Sequence, residues 1–172
     1  MLEPLNPQHF EQVYQILADS FPSSERRTYK GQKEVLNNEF YKIFVYQEKE
    51  KVHAFIAVWD FIDFIFVEHF AVEASHRNEG LGKKMLVELM ENKQKTFCLE
   101  VEPPETEIAR RRIGFYERLG FHLLPFTYEQ PAMQATEKPI PLCLMSYPEE
   151  LDKEKFNQIR NRLYQNVYHV NI

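Results

Sequence analysis

An apolar run, Val67 to Val72, leads through a short polar turn into Arg77-Asn78-Glu79-Gly80-Leu81-Gly82 and then Lys83-Lys84-Met85-Leu86-Val87-Glu88-Leu89-Met90. Apolar residues at 81, 85, 86, 89 and 90 recur at helical spacing, so this stretch predicts a strand, a glycine turn and a helix in direct succession. Strand feeding helix requires a mixed α/β architecture in which the two pack on each other. The glycines let backbone approach a ligand closely, and the unpaired amides of the helix's first turn favour an anion there. Neither common phosphate-loop pattern fits. A Walker loop needs Gly, four residues, then Gly-Lys-Ser/Thr, and a dinucleotide fingerprint needs a third glycine where Met85 stands.

At 172 residues the chain is long enough for a sizeable core in one domain, without a disulfide or metal staple. Cys98 and Cys143 lie in strand-like apolar runs and read as small core residues of a reducing compartment; no metal site is expected. A net charge of −5 argues against a nucleic-acid partner. Met1 to Ser20 lacks the basic start and sustained apolar run of a secretory leader, which makes the cytoplasm the expected compartment. The most apolar stretch, Ala54 to Phe66, is broken by Asp60 and Asp63 and falls short of the roughly 18 residues of a membrane span.

In chain order, Leu2 to Leu5 reads as a strand, and Asn6-Pro7 caps a helix carrying Phe10, Val13, Tyr14 and Leu17. Residues 22–27 break the periodicity as a loop, and a second helix is expected over Tyr29 to Asn38. Lys42 to Tyr46 and Val52 to Trp59 predict two strands joined by a charged hairpin, with Phe61 to Val72 as the next strand of a meander. After the glycine-led helix come a strand, Thr96 to Glu102, ended by Pro103-Pro104, and a helix from Glu105 to Leu119 with Gly120 as a left-handed cap. Phe121 to Tyr128 and Ile140 to Tyr147 predict strands. A final helix, Glu149 to Val170, shows an apolar face of Leu151, Phe156, Ile159, Leu163 and Val167.

Arg77-x-x-Gly80-x-Gly82 after Phe70-Ala71-Val72 resembles the pyrophosphate loop and fourth strand of the GNAT superfamily of acyl-CoA N-acyltransferases. The ending Phe115-Tyr116-Glu117-Arg118-Leu119-Gly120-Phe121 resembles that family's second hallmark, the helix after the fifth strand. The resemblance spans residues 1–147 and implies a GNAT-like fold: a twisted, mostly antiparallel sheet of about seven strands, parallel where the fourth and fifth meet, with helices on both faces. Residues 148–172 read as an added helix that packs on the same domain or on a second copy in a homodimer.

The family transfers acetyl from acetyl-CoA to an amine in a ternary complex, with the cofactor in a gap between splayed strands. By position, the backbone of Phe70, Ala71 and Val72 would meet the pantetheine arm. The amides of Asn78, Glu79, Gly80, Leu81, Gly82 and Lys83 would hold the pyrophosphate, with Arg77 closing the loop. Glu79 departs from the family's frequent Lys or Arg and is expected to point to solvent; Ala109 replaces a frequent Asn. The expected partner is a small-molecule amine.

Amine attack needs a neutral nitrogen and a proton acceptor. Glu68 is the candidate base, because strand alternation puts it on the face of Phe70 unless a bulge intervenes, while His69 is expected on the opposite face. Glu68 hydrogen-bonded only within the sheet is the alternative, and Glu100 and Glu102 are rivals for the base. Tyr116 matches the family's hydroxyl at the departing thiolate. Trp59, Phe61, Phe64, Tyr128 and Gln130, with the 22–27 loop, are candidates to line the acceptor, with core packing the alternative for Trp59, Phe61 and Phe64. Arg110, Arg111 and Arg112 splay over about 200 degrees of helix and read as a solvated face. A peptide acceptor and a CoA-binding module without turnover are the competing functions.

Overall fold

In the computed structural model, which describes residues 1–171, packing divides the chain into one unit from Met1 to Phe97 and another from Cys98 onward. The first unit is a meander of β1 (Glu3–Pro4), β2 (Tyr41–Glu48), β3 (Lys51–Asp60) and β4 (Phe64–Val72), each pair antiparallel. It also holds α1 (Phe10–Ser20), α2 (Tyr29–Val35) and α3 (Leu81–Asn92). Every residue of β3 from Val52 to Trp59 is buried. Neighbouring strand residues face opposite ways, so both faces of β3 are covered, and α1 and α3 both pack on β3 and β4. Phe10, Val13, Ile16 and Leu17 face inward from α1, and Met85, Leu86, Leu89 and Met90 from α3. Burying each large apolar side chain contributes about 1.5–3 kcal/mol.

The β2–β3 hairpin turns on Lys49 and Glu50, both with positive φ, at 50° and 67°. That twist suits a two-residue hairpin but normally calls for Asn-Gly. Contacts to α1 and the turn before it hold the strained pair: His9 Nε2 lies 3.0 Å from the Glu50 carboxylate, and Gln12 Nε2 donates to the Glu50 carbonyl at 3.1 Å.

The second unit holds most of β5 (Thr96–Val101), α4 (Glu107–Arg118), β6 (His122–Leu123), β7 (Tyr128–Gln130), β8 (Ile140–Tyr147) and α5 (Lys153–Arg162). β6 and β7 both pair antiparallel with β8. The single strand expected over Phe121 to Tyr128 is therefore two short ladders. Leu124 N–H still reaches the Leu144 carbonyl at 2.9 Å, but Pro125 has no N–H to continue the ladder.

The closing helix also differs from expectation. It starts at Lys153, where Asp152 accepts the Lys155 amide at 2.9 Å as a cap, rather than at Glu149. It ends in a wider turn, Leu163–Val167, in which Tyr168 N–H returns to the Leu163 carbonyl. Phe156 packs on Phe126 with the rings tilted and meets Tyr128 edge-on, while Tyr164 packs on Tyr128, so this helix packs within the second unit. Thr106 caps α4 and Gly120 ends it at φ 101°, where a side chain would press on the Tyr147 ring. Cys98 is buried and Cys143 partly buried, and among the described residues no helix is long and apolar enough to cross a membrane.

Candidate functional site

β4 ends at Val72, and a single turn, Ala74–His76, leads to Arg77. Arg77 folds back, donating from Nε to the Val72 carbonyl at 3.0 Å and from Nη2 to Ser20 Oγ at 3.5 Å. Asn78 and Gly80 both take left-handed φ, 68° and 76°. Nothing lies within 4 Å of where a Gly80 Cβ would stand. α3 begins at Leu81 with Gly80 as its cap residue; no side chain caps the first turn and no acid sits in it. Arg77, Asn78, Glu79, Gly80 and Lys83 are exposed, so Glu79 does face solvent. Gly82 serves a different need: a Cβ there would come within 3.0 Å of Phe70 Cζ, so the ring supports the loop from below. Phe70, Ala71 and Val72 pair with Ile56, Phe55 and Ala54 of β3.

Two residues upstream of Phe70 the register slips. Ala57 pairs with His69 and Val58 with Val67, which leaves Glu68 without a cross-strand partner in a β-bulge. The bulge puts Glu68 and His69 on the same side, contrary to simple alternation. Glu68 binds Arg27 and His69 binds Glu25, both on the 22–27 segment. Arg27 grips the carboxylate with both arms, Nη1 to Oε2 at 2.8 Å and Nη2 to Oε1 at 2.6 Å; Trp59 Nε1 adds a third donor at 3.2 Å. Glu68 is 1% exposed and Arg27 12%. Burial pushes the Glu68 carboxyl up, but the charge and hydrogen bonds of Arg27, with help from His69, outweigh it and hold the group well below the usual carboxylate range. His69 Nε2 meets the Glu25 carbonyl at 2.7 Å, and Phe21 lies edge-on to its ring. Around the pair, Arg27 also lies over the Tyr41 ring, whose hydroxyl accepts from Gln32 Nε2 at 2.6 Å.

Arg27 is the residue that strand patterns miss. The one signal for it is chemical: a carboxylate between Val67 and His69 in a buried strand demands a cationic partner, and 22–27 carries two arginines. Trp59 and Phe64, candidates to line an acceptor, are 1% and 2% exposed and pack as core beside Phe61. They present no surface to a ligand in this structure.

In the second unit, Tyr116 lies on α4 between Phe115 and Phe121, half-buried. Burial pushes its hydroxyl up to about 12 against a lowering pull from Arg112. Glu100 accepts from the hydroxyls of Tyr128 and Tyr168 and, at 3.2 Å, from Gln130 Nε2. Burial and that carboxylate raise the Tyr128 hydroxyl well above its ordinary value. Glu102 is exposed and pairs with exposed Arg112 at 3.2 Å, a contact worth little in water. Arg110 and Arg111 are exposed, as a solvated face requires.

Comparisons with known proteins agree with this geometry. The family model for the acetyltransferase (GNAT) domain matches residues 39–123. A solved structure from Bacteroides thetaiotaomicron, assigned to the GNAT family of acetyltransferases, is 35% identical and superposes with a TM-score of 0.91 over 99% of both chains. The Bacillus subtilis protein YjbC, assigned as an acetyltransferase, is 28% identical over 158 residues, 90% of this chain and 80% of its own. An aminoglycoside 6'-N-acetyltransferase solved with coenzyme A shares the fold at 16% identity and a TM-score of 0.61, over 85% of this chain and 95% of that one.

Proposed function

Because this chain belongs to the GNAT family of acetyltransferases, we propose that it transfers acetyl from acetyl-CoA to a primary amine of a small molecule, by direct attack in a ternary complex. The observation that carries this reading is the start of α3: an exposed, uncapped helix terminus with no acid in its first turn, preceded by a loop with two left-handed residues. That donor set fits a diphosphate, which needs several converging N–H groups and no competing carboxylate. The amides of residues 78–83 would hold it, and Arg77 keeps the loop closed on Val72. Backbone groups of Phe70, Ala71 and Val72 would receive the pantetheine arm. When bound, acetyl-CoA supplies the acetyl group as an activated thioester.

The proton is the harder problem. An alkylammonium of pKa about 10.4 costs roughly 4 to 5 kcal/mol to deprotonate at pH 7. Glu68, the base suggested by strand position, is ionised but holds Arg27 and Trp59 with its oxygens, and its depressed pKa gives it little pull on a proton. Its role in this reading is positioning: with Arg27 it fixes the 22–27 segment on the bulge of β4. The amine then reacts from its neutral fraction, and its proton passes to water. Tyr116, protonated at neutral pH and made still harder to ionise by burial, donates a hydrogen bond to the departing sulfur rather than surrendering its proton.

A panel of small primary amines, assayed with acetyl-CoA by thiol release, tests the reading. Turnover with kcat/KM rising about tenfold per pH unit between pH 6 and 9 is expected. A plateau set by an enzyme group near neutrality would restore a protein base. Acetylation of peptide amino termini alone would change the acceptor class, and no acetylation of any amine would leave a binding module.

A further inference from the structure

At the root of the proposed cofactor loop, three potential ligands converge in a place the acyltransferase reading does not use. His53 comes from the start of β3, Glu73 follows the end of β4, and His76 closes the turn that precedes Arg77. Their ligand atoms all lie within 4.8 Å of one another. Both imidazoles aim Nδ1 at a single carboxylate oxygen, Glu73 Oε1, at 2.6 Å from His53 and 2.9 Å from His76. Ser75 Oγ reaches the same oxygen at 3.1 Å, and Lys51 Nζ stands 3.9 Å away. Three hydrogen-bonding groups thus crowd one oxygen that has two lone pairs. The two rings stack with centroids 3.9 Å apart. The frame beneath is fixed, since the Glu73 amide donates to the His53 carbonyl at 2.8 Å.

We propose that His53, Glu73 and His76 form a binding site for a divalent transition metal of the zinc, nickel or copper class. Two imidazole nitrogens and one carboxylate oxygen suit those ions, whereas magnesium and calcium take oxygen ligands. Binding replaces the two Nδ1 hydrogens by one cation: each ring gives up its Nδ1 proton or shifts it to Nε2, and the freed lone pairs turn to the metal. Metal–ligand bonds of about 2.0–2.2 Å place ligand atoms somewhat farther apart than the 2.6 and 2.9 Å seen here, so the stacked rings must fan open. His76, partly exposed on its short turn, is the one that swings, and Lys51 is displaced from the carboxylate. Ser75, whose Oγ donates to Glu73 Oε1 at 3.1 Å, remains as an outer partner of that carboxylate.

The test is calorimetric titration of the full chain, without a histidine tag, with zinc chloride alone. One zinc ion per chain is expected. Glu73→Gln and His76→Gln should abolish binding, and Ser75→Ala should weaken it about tenfold. His53 is buried, so its variant could fail to fold; the substitutions at the partly exposed Glu73 and His76 carry the test, with a thermal melt to confirm folding. Absence of zinc binding by the wild type overturns the site. Unchanged binding in Glu73→Gln and His76→Gln overturns it equally, by moving the zinc to another histidine. Neither result depends on acetyl transfer.

Discussion

The bulge at Glu68 lies within β4 and the loop that opens α3 follows that strand, and the two are built on opposite principles. The loop works through backbone: it is exposed, local, and shaped by Gly80 and Gly82. The bulge works through side chains: it is buried, and its central contact joins residues 41 positions apart. A backbone site tolerates changes in the side chains around it, which is why Glu79 is accommodated by facing solvent. A buried ion pair tolerates almost none, because removing one partner strands the other's charge.

Breaking the bulge should therefore have the largest effect on stability. Arg27→Ala is expected to cost about 3–5 kcal/mol in urea unfolding, and Arg27→Met with Glu68→Gln together should recover most of it. A loss under about 1 kcal/mol in the single variant would mean that the pair is screened as a surface contact is. The same pair sets the acid limit. The folded Glu68 carboxyl titrates below its unfolded value of about 4.3, so its contribution is complete above that pH and fades as pH falls toward the folded value. Unfolding midpoints measured from pH 6 to 2 should fall more steeply for the wild type than for the double variant; parallel curves would contradict this.

Tyr116→Phe sharpens the comparison on the chemical side. It should lower kcat by about a hundredfold and leave acetyl-CoA affinity unchanged, since the hydroxyl is asked to act only as charge develops. Equal kcat would remove Tyr116 from the reaction. The smallest effect belongs to the loop's own conformation. Gly80→Ala meets no neighbour within 4 Å, so its cost is the left-handed φ alone, about 1 kcal/mol by thermal unfolding. A larger loss would reveal packing at that position.

The same division explains what could be read from the sequence. Gly80, Gly82 and the apolar spacing of α3 are local signals, and the glycine turn and helix formed where they indicated. Gly120 likewise ends α4 with left-handed φ. Local misreadings have local causes, as at Pro125, which splits an expected strand, and Asp152, which delays the last helix until it can cap it. The side on which His69 lies was not legible, because a one-residue register slip against β3 reverses it. Nor was Arg27, since nothing in residues 22–27 says which strand they will cover. Trp59 and Phe64 were legible as large apolar residues that suit core or pocket alike, and the structure places them in the core.

The central claim is that the start of α3 holds the pyrophosphate of acetyl-CoA. Calorimetric titration of the wild type and of Gly82→Glu tests it most directly, because the substitution puts a carboxylate among the amides that would receive the anion. Saturable binding to the wild type, lost in a Gly82→Glu variant that still melts cooperatively, is the predicted result. A folded wild type that does not bind acetyl-CoA, or a Gly82→Glu variant that binds it equally well, would contradict the account.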